Sequence, residues 1–167
     1  MKKIATLALN QAIVRPIILT ALLFLVPALV HNQAITGPIV NAGLLLSLFY
    51  LGKSQAFFLA MLPSTVALSR GLLPLALAPM LPFIMLSNVI YVASFSFLES
   101  KVKATSALIV ASMVKMLFLT LTVKLLMGGL LATPLLAKVE VMMTWPQLWT
   151  ALVGGWGALV IRKHVKI

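Results

Sequence analysis

Long apolar runs separated by short polar stretches dominate the chain. They predict six helices, at roughly 4–30, 36–52, 54–69, 71–98, 104–127 and 147–161. Each run approaches the ~20 residues that a helix needs to cross a bilayer. The stretch 128–146 is too polar and too interrupted to cross, and we expect an extended or partly helical loop on the outer face. The pattern therefore predicts an all-α, polytopic integral membrane protein, with 1–167 as a single transmembrane domain of six transmembrane helices.

The charge of the chain supports this class and indicates its orientation. The chain is 62% hydrophobic, yet it has 13 Lys and Arg against 2 acidic residues, a net charge of +11. Because the basic residues stand singly at the ends of apolar runs, contact with lipid headgroups explains them better than nucleic acid, which we do not expect as a partner. If the N-terminus is cytoplasmic, the inner segments hold Lys2, Lys3, Lys53, Lys101, Lys103, Arg162, Lys163 and Lys166, whereas the outer segments hold Arg70, Lys124 and Lys138. This bias predicts that both termini are cytoplasmic.

The residue types present argue against an enzyme. The chain has no Cys and no Asp, and its two histidines, His31 and His164, fall on opposite faces in this topology. A Ser–His pair inside the membrane is therefore improbable. Neither a metal-ligand spacing nor a phosphate-binding glycine loop is present. We therefore expect no catalytic residues, no metal site and no cofactor.

Lys115 is the strongest candidate for a functional residue. It lies near the middle of the fifth predicted helix, where a lone ammonium is expensive and normally faces a cavity or a partner. The helical rise places it about 16 Å from the cytoplasmic end of its span, and Asn88 about 13 Å from the same edge. The two side chains can therefore meet, with Tyr91 one turn nearer the cytoplasm. Because no carboxylate lies within the spans, the partner is an amide, hydroxyl or backbone oxygen, a bound anion, or another subunit, and a purely structural pairing remains open.

Two other groups of residues are candidates for a binding site. Pro79 belongs to a proline-rich stretch. Because proline has no N–H, carbonyl oxygens of the preceding turn lose their hydrogen-bond partners, and in a membrane such oxygens are tolerated only where protein or a water-filled cavity adjoins them. The stretch is either a kinked packing helix or a wall of the site. Trp149 fits an outer aromatic belt, whereas Trp156 lies deeper and is able to stack on a ligand. Gly154 and Gly155 belong to pairs of small residues four apart, which allow close helix approach.

Two segments carry a resemblance to a known family. Residues 35–42 (ITGPIVNA) and 73–84 (LPLALAPMLPFI), the latter followed by Asn88, resemble the substrate-binding S components of energy-coupling factor (ECF) transporters, in particular small prokaryotic members of unassigned substrate. The resemblance implies a multi-pass protein of the prokaryotic cell membrane that captures a vitamin or a related compound from outside. It also implies three partner subunits, a transmembrane T component and two ATPases, and docking through an Ala-xxx-Ala pattern that is matched here by Ala8 and Ala12. Nickel and cobalt members carry His at the position of Lys2, so the resemblance favours an organic solute.

Together these observations predict an S component that binds a small organic solute, neutral or anionic, in an outward-facing pocket. We expect the pocket to lie between the fourth, fifth and sixth spans, beneath residues 31–36 and part of 128–146. Lys115 and Asn88 would supply polar contacts, and the two tryptophans would stack on the solute. Two alternatives stay open: an accessory membrane subunit of a larger complex, such as a redox complex, or a small stand-alone transporter or channel.

Overall fold

A computed structural model describes residues 2–71, 73, 75–127, 129 and 133–165. This part of the chain is helical and contains no β-strand. In chain order its α-helices are α1 (Lys2–Leu29), α2 (Gln33–Leu51), α3 (Lys53–Ser69), α4 (Leu81–Leu98), α5 (Ala104–Thr122), α6 (Thr133–Met142) and α7 (Trp145–His164). A 3-10 helix (Leu75–Met80) precedes α4, and a π-helical turn (Val123–Met127) continues α5.

Local sequence explains several helix ends. The side chain of Asn32 caps α2 by accepting a hydrogen bond from the backbone N–H of Ala34, at 2.9 Å. Gly52 has a φ of 88° and joins α2 to α3 as a single linking residue, a conformation that favours glycine. Pro82 stands in the first turn of α4, where its missing N–H costs nothing, so the long run predicted over 71–98 divides into a 3-10 helix and an α-helix.

Contacts between distant residues fix the direction of the helices. The ring of His31, in the α1–α2 loop, lies 3.0 Å from the carbonyl oxygen of Arg70 at the end of α3. Arg162, late in α7, forms a 2.8 Å salt bridge with Glu99 at the end of α4. Gly37 and Ala42 on α2 lie beside Thr150 and Gly154 on α7, so these two helices are parallel, and a short loop returns the chain from α4 to α5. Consequently α2, α4 and α7 run in one direction, and α3 and α5 run in the other. We call the end at which α2, α4 and α7 finish the basic end, since it carries Lys53, Lys101, Lys103, Arg162 and Lys163; the opposite end is the cavity end.

Small residues let α7 pack tightly between α2 and α5. A Cβ atom added to Gly154 would collide with the carbonyl oxygen of Pro38 and lie 2.9 Å from the backbone nitrogen of Ala42, both on α2. A Cβ at Gly155 would collide with the side chain of Leu108 on α5. The small-residue pairs seen in the sequence therefore lie at the helix contacts, where side chains have no room.

Among the described residues, three helices are long and apolar enough to cross a membrane. They cover Gln33–Leu51, Leu77–Leu98 and Ala104–Leu125, and Ile13–Leu29 is a shorter apolar helix. The outward faces of the bundle are also apolar, as the exposed side chains of Phe58 and Trp156 illustrate. In contrast, α6 has ten residues and is too short to cross, in keeping with a partly helical loop over 128–146.

Candidate functional site

A cavity of about 120 Å³ lies at the cavity end of the bundle. Helices α2, α3, α4 and α5 surround it, and the junction of α6 and α7 covers it. Its polar lining consists of Gln33, Thr36, Asn41, Ser64, Asn88, Lys115, Gln147 and Thr150. Its apolar lining includes Pro27, Val40, Pro63, Ala67, Leu73, Ile84, Met142 and Met143.

The pattern of α5 places Lys115 in the interior. Ala107, Leu108, Ala111 and Ser112 form a buried stripe with helical spacing, and Lys115 is the next position on that stripe. Only 3% of the residue is exposed. Its ammonium group therefore has to find partners inside the bundle rather than in water.

Two asparagines from neighbouring helices supply those partners. The Nζ atom of Lys115 donates to Oδ1 of Asn41 on α2 at 2.7 Å and to Oδ1 of Asn88 on α4 at 2.8 Å. The amine also lies 5.3 Å from the centre of the Tyr91 ring, one turn further toward the basic end. This arrangement brings together the lysine, the asparagine and the tyrosine whose depths the sequence matched.

The amide nitrogen of each asparagine donates hydrogen bonds of its own, which fix the orientation of the side chain. Nδ2 of Asn41 donates to the carbonyl oxygen of Gly37, one turn earlier in α2, at 2.9 Å. Nδ2 of Asn88 donates to the carbonyl oxygen of Ala60 at 3.1 Å and to Oγ of Ser64 at 3.3 Å, both on α3. With their nitrogens engaged in this way, both amides direct their oxygens at the amine. The result is a hydrogen-bonded network that joins four helices beside the cavity.

No carboxylate lies beside this network in the part of the chain that the structure describes. The chain has two acidic residues, Glu99 and Glu140. Glu99 is paired with Arg162 at the basic end, and Glu140 lies on α6, and neither is among the described residues that line the cavity. Hydrogen bonds to a charged group are worth about 1.5–3 kcal/mol each, but removing an ion from water costs several kcal/mol. The amide oxygens therefore satisfy the geometry of the ammonium without cancelling its charge.

The predicted site residues separate into two groups. Lys115 and Asn88 both line the cavity and are hydrogen-bonded to each other. Trp149 is half-buried, Trp156 is 66% exposed and Pro79 is exposed on the 3-10 helix; none of the three is among the described residues that line the cavity. Their role as solute contacts stays a prediction that this cavity does not support.

Ala8 and Ala12 lie in the first half of α1, where the side chains are outside the described part of the structure.

The cavity does not lie between the fourth, fifth and sixth predicted spans alone, because α2 and α3 supply much of its wall. The expected cover is present in part: Gln33 and Thr36 line the cavity from one side, and Met142 and Met143 from another.

The sequence interpretation missed Asn41 and Ser64 as members of the site. Asn41 is ten residues before Leu51, the last residue of α2, and Ser64 is eleven residues after Lys53, the first residue of α3. The helical rise puts both about 15 Å from the basic end, close to the depth of Lys115 and Asn88. Their distance from the helix end is therefore the signal in the sequence that identifies both residues, as it does Lys115 and Asn88.

Comparison with known proteins adds no relative to this description. No family model, no curated protein and no solved structure matches the chain. The function of the chain is therefore inferred from the cavity and from the buried network beside it.

Proposed function

We propose that this protein is the substrate-capture (S) subunit of an ECF-type importer, and that it binds a small organic solute, neutral or anionic, in the cavity described above. The observation that carries the proposal is Lys115, a buried amine that lines a cavity and has amide oxygens but no carboxylate beside it. Intramembrane ionisable groups are rare and usually mark a path or a binding site. The resemblance of residues 35–42 and 73–84 to S components favours this kind of binding site over others.

The membrane orientation follows from the distribution of charge. In the proposal all six long helical segments cross the bilayer of a prokaryotic cell, with the basic end in the cytoplasm and the cavity end outside. The apolar outward faces then contact lipid, which explains why so many large side chains are exposed. The cavity would be reached from outside, as solute import requires.

Single-cysteine labelling tests this orientation, and the chain is suited to it because it contains no Cys. Ser100→Cys marks the basic end, between α4 and α5, and Thr144→Cys marks the cavity end, between α6 and α7. A membrane-impermeant maleimide should label Thr144→Cys in intact cells and Ser100→Cys only after the cells are opened. The reverse pattern would place the cavity in the cytoplasm and contradict capture from outside.

Import also requires partners, because the chain offers no phosphate-binding loop of its own. We expect a T component and two ATPases to co-purify with the tagged protein from its native membrane under gentle detergent conditions. Mass spectrometry of the same sample would identify a bound metabolite. Recovery of unrelated membrane subunits instead would favour an accessory subunit of another complex, and recovery of the chain alone as a homo-oligomer would favour a stand-alone transporter.

A pair of variants tests the docking site within the same experiment. Replacing both Ala8 and Ala12 with Leu should remove the T component from the pull-down while a bound metabolite is retained, because helix contacts of this kind need small residues. The matched control replaces Ile13 and Ile17 with Leu, which keeps the spacing, the helix and the size of the side chains. Equal loss of the T component in both double variants would contradict docking through the alanines.

A further inference from the structure

The donor count of Lys115 indicates what kind of group is able to bind beside it. A lysine ammonium has three N–H donors. Two of them are engaged by the oxygens of Asn41 and Asn88. No further acceptor for the amine is found in the part of the chain that the structure describes, and the amine borders the cavity. One donor is therefore available to a molecule in the cavity.

The charge of the cavity indicates that this molecule is an anion with one negative charge. Both partners of Lys115 are neutral amides, so when the amine is protonated no opposite charge lies beside it, at a site where only 3% of the residue is exposed. In such surroundings an ion is stabilised mainly by an opposite charge in direct contact. Lys115 is also the single charged side chain among the described residues that line the cavity. One buried cation balances one carboxylate, whereas a second negative charge on the ligand would be left without a partner.

The remaining walls indicate that the anion is organic. Apolar side chains from four parts of the chain face the same cavity, among them Val40, Ala67, Ile84 and Met143. A halide or nitrate would leave this apolar surface unused, whereas a short aliphatic or aromatic body would cover it and be excluded from water. Gln147 and Thr150 add hydrogen-bonding groups near the cover of the cavity.

We infer that the cavity selects a small organic monocarboxylate, whose carboxylate accepts a hydrogen bond from Lys115 and whose apolar body packs between α2, α3, α4 and the α6–α7 junction. This inference rests on the solute-capture function proposed above and specifies the class of its substrate. A charge-assisted hydrogen bond in a buried site is stronger than a neutral one, so the carboxylate should be preferred over an uncharged group of the same shape.

The test compares carboxylates with their own amides. The full-length protein in lipid nanodiscs is heated with benzoate, hexanoate and butyrate, with benzamide, hexanamide and butanamide, and with chloride and nitrate at equal ionic strength. The shift of the unfolding temperature against concentration gives an apparent affinity for each compound. We expect the carboxylates to bind at least about tenfold more tightly than their amides and than the inorganic anions.

Variants assign the effect to the site. Lys115→Gln keeps an amide donor toward both asparagines but removes the charge, and it should abolish the preference for carboxylates. Lys124→Gln removes a lysine that is exposed in the π-helical turn near the same end of the bundle, and it should leave the preference unchanged. Where Lys115→Gln fails to fold, Lys115→Arg provides the second variant, which keeps the charge and should retain the discrimination between carboxylate and amide.

The outcomes separate this inference from the proposed function. Binding of amides and carboxylates with equal affinity would overturn the carboxylate assignment and leave a solute-binding site in place. Equal binding of chloride or nitrate would also overturn it, in favour of an inorganic anion. Stabilisation by none of the compounds, together with a purified protein that carries no metabolite, would overturn both the assignment and the solute-capture function.

Discussion

Gly154 offers the sharpest test of how this bundle is held together. A Cβ atom at this position would collide with the carbonyl oxygen of Pro38, lie 2.9 Å from the backbone nitrogen of Ala42 and lie 3.0 Å from Cβ of Asn41. Two of these three atoms belong to the α2 backbone, which cannot rotate away as a side chain can. Gly154→Ala therefore forces α7 away from α2, whereas at Gly157, one turn further along α7, an added Cβ meets nothing within 4 Å.

The expected magnitude follows from this comparison. Replacing Gly with Ala inside a helix stabilises it by roughly 0.5–1 kcal/mol, a gain that both variants share. Overpacking a well-packed contact costs about 1–3 kcal/mol. Because the shared gain cancels, we expect Gly154→Ala to unfold more readily than Gly157→Ala by about 1–3 kcal/mol, equivalent to about 5- to 150-fold in the unfolding equilibrium constant.

Equilibrium unfolding in lipid–detergent bicelles, driven by sodium dodecyl sulfate and followed by tryptophan fluorescence, measures this difference. The Gly157→Ala variant controls for helix propensity on the same helix. Because α2 also carries Asn41, displacement of α7 should weaken the response to benzoate in Gly154→Ala as well. Equal stability of the two variants would refute the close contact between α2 and α7 and with it the helix arrangement around the cavity.

Three further substitutions probe the interior. Asn88→Asp gives Lys115 a carboxylate, to which the hydroxyl of Ser64 is positioned to donate, but the substitution removes the hydrogen bond to the carbonyl oxygen of Ala60. We therefore expect a less stable protein whose thermal response to benzoate is lost; an unchanged response would contradict charge recognition by Lys115. Tyr91→Phe removes the hydrogen bond from Oη to the carbonyl oxygen of Ala151 and should lower the free energy of unfolding by about 0.5–1.5 kcal/mol. An unchanged free energy of unfolding in the bicelle assay would show that this hydrogen bond does not stabilise the fold. A Cβ atom at Gly155 meets the buried side chains of Leu108 and Tyr91 instead of backbone, so Gly155→Ala should be less stable than Gly157→Ala in the same bicelles, and equal stability of the two would contradict the contact between α7 and α5.

Much of the site was predictable because depth in a helix can be counted from its end. The rise per residue brought Lys115, Asn88 and Tyr91 to similar levels, and the structure joins the lysine to both. The tryptophans were harder to place, because depth says nothing about which side of a helix faces the interior. Trp156 lies at a suitable level but is exposed on the outward face of α7, next to the glycines that face α2 and α5.

The sequence by itself determined the helical class, the approximate ends of the helices and the charge difference between the two ends of the bundle. These properties depend on local hydropathy, on capping residues and on proline, which act within a few positions of the chain. The tertiary structure decided which helices become neighbours, and hence that Lys115 has two asparagine partners and that α2 and α3 contribute to the cavity wall. An apolar helix surface packs on many other apolar surfaces, so it does not by itself specify its neighbour. In this bundle the neighbours are specified by the glycines of α7 and by the network around Lys115.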